Sequence, residues 1–359
     1  MIEQLPIATT PKYNFSLQTS QLQLPQKLLE LSIESLKTMK GESFQLNPQV
    51  LHLQNMQTQQ FEDFTPPIFS HSPTVEPIRL KPIRTKTTVI GIDVSSIKIG
   101  ETSTGILTAT RGAIVWKQSR HYQYLRLGPL LFHLTPLARR QIHRFLHQKP
   151  TNLYNLSNLQ MKIAHNLEQR LQMAVSSHVY RSLILFDGSL TAGTPDTSTA
   201  TMMQMLKTAR KNFSTILAFS KVTSLRLWGL RITELARKYA SPCLLKIENY
   251  FDSAGPMRLL GDLYIAKFTE GSCAFRLDVD KEIPKLEAVR AVEELLGNDL
   301  VPQSYPETLR LAHIYSTFTA NEVIGIQRYL TQRCQLELIS RPNIRRLLFG
   351  PYGKGPESQ

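Results

Sequence analysis

The order of strand and helix signals predicts an α/β domain built on a mixed sheet flanked by helices. Three strand signals, near residues 88–95, 101–108 and 113–117, follow one another closely, which favours antiparallel hairpins. Further along, apolar strand signals alternate with amphipathic helix signals, which is typical of crossover connections between parallel strands. Hydrophobic residues make up 42% of the 359 residues, enough for a sizeable core.

Each element is predicted from one of two signals. A short apolar run bounded by turn residues indicates a buried strand, and apolar residues at helical spacing indicate a helix. Arg111 and Gly112 are interpreted as the turn between the second and third strands, and residues 120–150 as irregular to helical. The other predictions are strands at 183–187, 214–220, 243–248, 260–268 and 273–278, and helices at 25–40, 155–179, 202–211, 225–239, 285–296 and 307–330.

This succession of elements fits the ribonuclease-H-like arrangement. We expect the main domain to span residues 86–349, with a flexible tail over 350–359. An N-terminal helix and a Pro/Gln-rich extension occupy residues 1–85. The aromatic residues of the extension need burial, so we expect it to wrap the main domain.

Positive charge is concentrated behind residue 80. The chain has a formal net charge of +14, but residues 1–80 hold only five Lys/Arg against seven Asp/Glu. A basic domain behind a near-neutral leader favours a polyanionic partner, for which DNA or RNA is the default. The alternative is a solvated basic surface that binds nothing.

The cysteines and the apolar runs indicate the cellular compartment of the protein. Three cysteines lie far apart without a CxxC motif, so neither a zinc ribbon nor a disulfide framework is indicated. No charged leader is followed by an apolar segment, and no apolar run approaches the roughly 20 residues that span a bilayer. We therefore expect an intracellular, cytoplasmic protein.

Two buried strands each present one aspartate. Asp93 follows an apolar run that begins near Thr88, and Asp187 follows Leu183 to Phe186 directly. Carboxylates that converge from neighbouring strands suit Mg²⁺ or Mn²⁺, which prefer oxygen ligands. Two such ions, roughly 4 Å apart, can neutralise a scissile phosphate and activate water.

A third carboxylate is expected to complete such a site. The chain holds no Asp or Glu from Thr102 through Leu167, so the acids between the two strand aspartates are Glu101 and Glu168. Glu168 lies in a predicted helix that can pack on the sheet, and we favour it over Glu101 at a strand start. The alternative for Glu168 is an exposed helix acid paired with a neighbouring cation.

The chain resembles the NurA nucleases over roughly residues 86–345. The resemblance is carried by five motifs in order, which are Ile92-Asp93-Val94-Ser95-Ser96, Glu168, Leu185-Phe186-Asp187-Gly188-Ser189-Leu190, Ser220-Lys221-Val222-Thr223-Ser224 and Tyr305-Pro306-Glu307-Thr308-Leu309-Arg310-Leu311-Ala312-His313. Val94 departs from the family, which more often has a small residue there.

The resemblance implies a manganese-dependent DNA nuclease with 5′-to-3′ exonuclease and single-strand endonuclease activity. It implies a homodimer that works with the HerA-type hexameric ATPase in resecting DNA ends at double-strand breaks, and hence association with the nucleoid. The metal-binding carboxylates of the family fall on Asp93, Glu168 and Asp187. Its active-site histidine falls on His313 and its tyrosine on Tyr305.

The last residues of the set can also be interpreted without the resemblance. His313 could complete a metal site or move a proton, or it could be a core histidine. Tyr305 could meet a phosphate at a helix start, or it could be a packing aromatic. Lys221 follows a strand, where its ammonium could offset phosphate charge beside the carboxylates or face solvent.

Residues 111–150 form a second candidate region, because they carry cations and aromatics but no acid. Cations hold a phosphodiester backbone, and aromatics stack on unpaired bases. The predicted DNA-binding residues are Arg111, Lys117, Arg120, Arg126, Arg139, Arg140 and Arg144.

Three functions remain open at this point. A metal-dependent DNA nuclease is favoured by the set of acids. A non-catalytic DNA-binding adaptor of the translocase and a ribonuclease-H-like enzyme that cleaves RNA or RNA–DNA hybrids are the alternatives.

Overall fold

A computed structural model of the chain describes residues 2–6, 23–46, 74–136, 142, 156–194, 197–248 and 257–338. The predicted tail over 350–359 lies outside this part of the chain.

The described residues form sixteen strands and six α-helices. The strands are β1 (Ile2–Pro6), β2 (Ser43–Leu46), β3 (Thr74–Arg79), β4 (Thr88–Thr102), β5 (Ile106–Gln118), β6 (His121–Leu134), β7 (Ser182–Asp187), β8 (Thr191–Ala192), β9 (Thr215–Ser220), β10 (Arg226–Leu227), β11 (Leu230–Arg231), β12 (Cys243–Glu248), β13 (Arg258–Leu259), β14 (Gly261–Lys267), β15 (Phe275–Asp280) and β16 (Glu337–Leu338). The helices are α1 (Gln23–Lys37), α2 (Leu156–His178), α3 (Thr199–Lys211), α4 (Lys285–Asn298), α5 (Glu307–Ser316) and α6 (Ala320–Arg333).

Five strands at the centre of the main sheet run in the order β6-β5-β4-β7-β9. Strands β4, β7 and β9 are parallel, whereas β5 is antiparallel to both of its neighbours. Three antiparallel strands followed by two parallel ones, in the order 3-2-1-4-5, is the arrangement of a ribonuclease-H-like sheet. The predicted fold class is therefore confirmed.

Antiparallel strands extend this centre on both sides. Strands β15, β14, β12 and β3 continue the sheet beyond β9, and β1 pairs with β6 at the other edge. Strands β1 and β3 come from residues 1–85, so this segment contributes to both edges. Helix α1 is fixed to β6 because the Leu131 and His133 amides donate to the Ser32 and Ser35 hydroxyls, each at 3.1 Å.

The two faces of the sheet are covered by different helices. One face packs Ile92 and Phe186 against Leu167 of α2 and Met205 of α3. Alternate residues of the same strands, such as Leu185, point to the opposite face, where α4 and α5 pack. Each strand is thus buried on both sides, which explains why its sequence is a continuous apolar run.

Two predictions about the region of β5 and β6 are wrong. Arg111 and Gly112 lie inside β5, and the second hairpin turn falls at Ser119 and Arg120. Gly112 serves packing, because a Cβ there would lie 2.6 Å from a methyl of Leu171. Residues 121–134, predicted as irregular to helical, form β6.

The predicted helix over 225–239 is instead a short hairpin of β10 and β11 followed by a 3-10 helix, Ile232–Lys238. The predicted helix over 307–330 is two helices, because Thr317 and Thr319 adopt extended backbone between α5 and α6.

Candidate active site

Asp93 and Asp187 lie side by side because their strands are parallel neighbours. Ile92 pairs with Phe186 in the register of β4 and β7, so the next residue of each strand is an aspartate at the same level. Asp93 is 6% exposed and Asp187 is half-buried. Both side chains point to the face covered by α5, since they alternate with Ile92 and Phe186 on the opposite face.

Helix α5 brings His313 to the two aspartates by a close approach to β4. Gly91 permits the approach, because a Cβ there would lie 2.8 Å from the Thr308 carbonyl oxygen and 3.0 Å from Leu309 Cα. The His313 Nδ1 atom lies 3.3 Å from Asp93 Oδ2. One donor atom from each of Asp93, Asp187 and His313 lies within 4.8 Å of the other two.

Asp93 is oriented by the hydroxyl of Ser316, a residue that the sequence analysis did not single out. The buried Ser316 hydroxyl, one turn beyond His313 on α5, donates to Asp93 Oδ2. Ser316 Oγ lies 2.8 Å from the Ser95 hydroxyl on β4. The available signal was the spacing of three residues between His313 and Ser316, which places both side chains on one face of a helix.

Glu168 reaches the site from α2, on the opposite side of the sheet. It is half-buried, and burial raises the pKa of its carboxyl well above the usual range. The Asp93 and Asp187 carboxylates raise this pKa further, whereas Lys221 lowers it. Glu168 is thus the third acid of the group, although it lies outside the tight cluster of three donors.

Lys221 pairs with Asp187 at the end of β9. Its Nζ atom lies 2.6 Å from Asp187 Oδ2. Burial nevertheless raises the pKa of Asp187, because the opposing effect of Lys221 is partly offset by repulsion from Asp93. One lysine therefore does not neutralise the three acids.

Tyr305 forms a wall of the site. It is 9% exposed, its ring lies 5.2 Å from that of Phe275, and Lys221 Nζ lies 5.8 Å from its centroid. Its hydroxyl is buried and has no hydrogen-bond partner among the described residues. Burial and the charges of Asp187 and Asp93 raise its pKa, so the phenol remains neutral.

The donor set fits divalent metal ions. Two carboxylates and an imidazole offer oxygen and nitrogen ligands of the kind that Mn²⁺ and Mg²⁺ accept. Burial raises the pKa values of Glu168 and Asp187, and repulsion between the neighbouring acids adds to the effect. A bound cation would favour the ionised forms of both carboxyls. Asp93, Asp187 and His313 could hold one ion directly, and Glu168 could complete a second position.

The turn after Asp187 is fixed by a buried ion pair. Arg276 donates two hydrogen bonds of 2.8 Å to Asp278, and both side chains are fully buried. The Leu190 amide donates to Asp278 Oδ2 at 2.9 Å. Asp278 is therefore a structural acid that holds the backbone behind Asp187, not a further ligand.

Arg111, Arg126 and Lys117, three of the predicted DNA-binding residues, contact the helices that pack on the sheet or the residues that end them. Arg111 is 3% exposed, donates to the Thr317 carbonyl at 3.1 Å and pairs with Glu322 at 3.0 Å. Arg126 pairs with the same Glu322 oxygen at 2.9 Å. The Arg111 guanidinium is enclosed by protein, so its observed contacts are those of helix packing, and we assign Arg126 to the same role. Contact of either residue with DNA stays a prediction.

Lys117 is also held in a protein contact, 3.9 Å from Asp299 and 5.0 Å from the Tyr122 ring centroid. Burial lowers its pKa despite Asp299. Arg120 is exposed in the turn between β5 and β6 and stays a prediction. Arg139, Arg140 and Arg144 lie outside the described residues.

Among the described residues, no helix is long and apolar enough to cross a membrane.

Comparisons with known proteins give structural likeness only. No family model matches the chain, and no curated protein sequence matches it. Endonuclease V of Ciona intestinalis, solved with a 24mer DNA containing an inosine followed by a ribo-adenosine, superposes with a TM-score of 0.35 at 14% identity, covering 68% of this chain and 92% of that one.

Two structures of Aquifex aeolicus Argonaute superpose with TM-scores of 0.24 and 0.20, at 11% and 12% identity. They cover 67% and 68% of this chain, but only 28% and 29% of their own chains are matched. Scores of this size carry no argument about activity, so a functional assignment depends on the geometry of the site and on its sequence motifs.

Proposed function

We propose that this chain is a divalent-metal-dependent nuclease that hydrolyses phosphodiester bonds in DNA. One observation carries the proposal, namely that donor atoms of Asp93, Asp187 and His313 lie within 4.8 Å of one another. Glu168 adds a third carboxylate whose pKa responds to both aspartates. A structural ion-pair network would balance such acids with cations, and Lys221 is a single cation against three carboxylates.

Each residue has a role that follows from its contacts. Divalent ions, when bound, neutralise charge at the scissile phosphate and activate water. Lys221 orients Asp187 and adds positive charge beside the phosphate. His313 directs Nδ1 towards Asp93, so its Nε2 atom is the one that can exchange a proton with the attacking water or the leaving oxygen. The neutral Tyr305 ring excludes water from one side.

The sequence resemblance supports a narrower proposal. We infer a NurA-type enzyme that resects DNA ends, with 5′-to-3′ exonuclease and single-strand endonuclease activity and with Mn²⁺ as the preferred metal. The same resemblance supports a homodimer that acts with a HerA-type hexameric ATPase in double-strand break repair. Its support is the order of the five motifs and the spacing from Glu168 to Asp187.

Asp187→Asn tests the metal-dependent chemistry. We expect it to abolish cleavage of end-labelled DNA in Mn²⁺ and to weaken Mn²⁺ binding measured by calorimetry, while the circular dichroism spectrum is retained. Asp262→Asn is the matched control, because Asp262 forms a comparable pair with Lys246 at 3.3 Å elsewhere on the sheet. Full activity of Asp187→Asn would refute the proposal.

A substrate panel separates the remaining alternatives. Single-stranded DNA, duplex DNA, RNA and an RNA–DNA hybrid are incubated with Mn²⁺, Mg²⁺ or chelator, with and without the ATPase. Cleavage confined to RNA or hybrid would replace the DNA nuclease by a ribonuclease. DNA binding without cleavage and without metal binding would favour the adaptor.

A further inference from the structure

The segment that leaves the site after Lys221 presents one face to solvent and buries the other. Thr223, Leu225 and Leu227 are buried, whereas the residues between them are exposed. Of these exposed residues, Arg226 lies in β10 and Trp228 lies in the turn that follows it. The exposed row consists of Val222, Ser224, Arg226 and Trp228.

Trp228 stands at the tip of the hairpin formed by β10 and β11. It is 66% exposed, and Val222 at the start of the row is 78% exposed. Trp228 and Gly229 have φ values of 51° and 80°, as a two-residue type I′ turn requires. Asn or Asp suits the first of these positions, and a bulky aromatic there carries backbone strain. Strained positions of this kind cluster at functional sites.

The hairpin also places two cations opposite each other. Arg226 pairs with Arg231 in the register of β10 and β11, and both are exposed. The Arg226 guanidinium donates to the Gly229 carbonyl at 2.9 Å, so it is held beside the turn, where the two arginines together attract an anion. The sequence from Thr197 to Thr233 contains six Lys/Arg and no Asp or Glu, and of these Lys221 pairs with Asp187 and Arg210 with Asp280. Arg226 and Arg231 are exposed and supply positive charge at the hairpin for a polyanion.

The hairpin is anchored to the sheet by buried side chains. The buried Leu225, Leu227 and Ile232 pack on Leu245 and Leu263 of the sheet, so the exposed row does not depend on a loose loop. Trp228 follows Lys221 by seven residues, which span at most about 25 Å of chain.

We propose that Val222, Arg226, Trp228 and Arg231 form a binding surface for unpaired nucleotides of the substrate. Trp228 stacks on a base, and the two arginines hold the adjoining phosphates. The surface disfavours a fully paired duplex, whose bases are already stacked. This inference rests on the proposed nuclease function for its physiological substrate, although the binding itself can be measured without cleavage.

Tryptophan fluorescence tests the surface directly. The chain has two tryptophans, Trp116 at 1% exposure and Trp228 at 66%. A short oligo(dT), titrated in chelator so that nothing is cleaved, should quench the exposed Trp228. A blunt duplex should quench little, and oligo(U) distinguishes an RNA strand from a DNA strand. In Trp228→Phe the quenching should disappear.

Affinity is measured by anisotropy of labelled oligo(dT). Trp228→Ala should weaken binding roughly five- to a hundredfold, and Arg231→Gln should lower the slope of log affinity against log salt by about 0.7. Phe213→Ala is the matched control, since Phe213 is 68% exposed with a φ of 52° at the opposite end of β9. It should bind like wild type.

The outcomes separate this surface from the nuclease assignment. Oligo(dT) binding that leaves Trp228 emission unchanged, equal quenching by blunt duplex, or no binding at all would overturn the surface. Quenching by oligo(dT) in a protein that cleaves nothing with Mn²⁺ would overturn the nuclease assignment and support the surface. In an active enzyme, Trp228→Ala should raise KM for single-stranded DNA by a factor similar to its loss of affinity.

Discussion

Glu322→Gln is expected to destabilise the fold through the helices that carry His313. Glu322 accepts hydrogen bonds from Arg111 at 3.0 Å and Arg126 at 2.9 Å. It also closes a capping box with Thr319 at the start of α6. Helix α6 is thus tied to β5 and β6, and Arg111 holds the last turn of α5 as well, through the Thr317 carbonyl.

The magnitude follows from the pKa of Glu322. Partial burial alone would raise it, but hydrogen bonds from Arg111, the Thr319 amide and Arg126 lower the pKa from 4.5 to about 2. This corresponds to at most about 3 kcal/mol of stability. The side chain is 33% exposed, and solvent screening reduces the contribution to about 2 kcal/mol. For a chain of this length, the expected fall in Tm is about 2 to 3 °C.

The pH dependence gives the sign of the effect. A carboxyl whose pKa is lower in the folded state stabilises it fully above the unfolded pKa, near 4.5, and loses this contribution as pH falls towards 2. The difference in Tm between wild type and Glu322→Gln, measured by thermal denaturation, should therefore be full at pH 7 and shrink below pH 4.5.

Glu287→Gln is the matched control for this measurement. Glu287 occupies the corresponding third position of α4, is exposed, and its helix has no side-chain cap. It should change the free energy of unfolding by no more than about 0.5 kcal/mol. A Glu322→Gln variant as stable as Glu287→Gln would refute the assignment of Arg111 and Arg126 to helix packing, as would loss of DNA affinity without loss of stability.

Three further predictions concern the acids and their neighbours. Glu168→Gln should raise the Tm of the metal-free protein at pH 8. The pKa of Glu168 is higher in the folded state, so its ionisation destabilises the fold as pH rises above about 4.5; added Mn²⁺ should stabilise wild type more than the variant. Ser316→Ala should weaken Mn²⁺ binding by roughly 10- to 100-fold in calorimetry, because Asp93 loses its orienting hydroxyl; saturating Mn²⁺ should restore kcat, and unchanged affinity would count against this role. Lys221→Gln should shift the acid limb of the pH–activity profile to higher pH, because Lys221 lowers the pKa of Asp187; an unmoved limb would contradict it.

The meeting of the acids could be predicted from the sequence for a physical reason. Asp93 and Asp187 each follow an uninterrupted apolar run, and parallel strands buried on both faces bring the ends of such runs to one level. Glu168 could be singled out because the 66 residues from Thr102 to Leu167 contain no acid. These inferences use chain order and strand polarity, which the sequence carries directly.

The positions of the cations could not be predicted in the same way. Counting charges does not show which face of a strand a residue occupies. Gly112 also indicates a turn at Arg111, where the chain instead continues as β5. Arg111 lies inside this strand of 13 residues. Its side chain points to the face covered by α5 and α6, where it contacts the Thr317 carbonyl and Glu322. The hairpin at Trp228 was missed because Leu225, Leu227, Ile232 and its neighbours fit a helical period as well as an alternating one.

The burial of Arg111 changes what the basic composition means. Arg111, Lys117 and Arg126 of β5 and β6 pair with Glu322 and Asp299. Arg111 also holds the end of α5 through the Thr317 carbonyl, and Asp299 holds its start through the Thr308 amide. Their contribution to the proposed activity is therefore to position the helices, and salt screens such partly buried pairs less than exposed ones. Arg231→Gln should therefore reduce the salt slope of nucleic-acid binding, whereas Arg126→Gln should leave it unchanged.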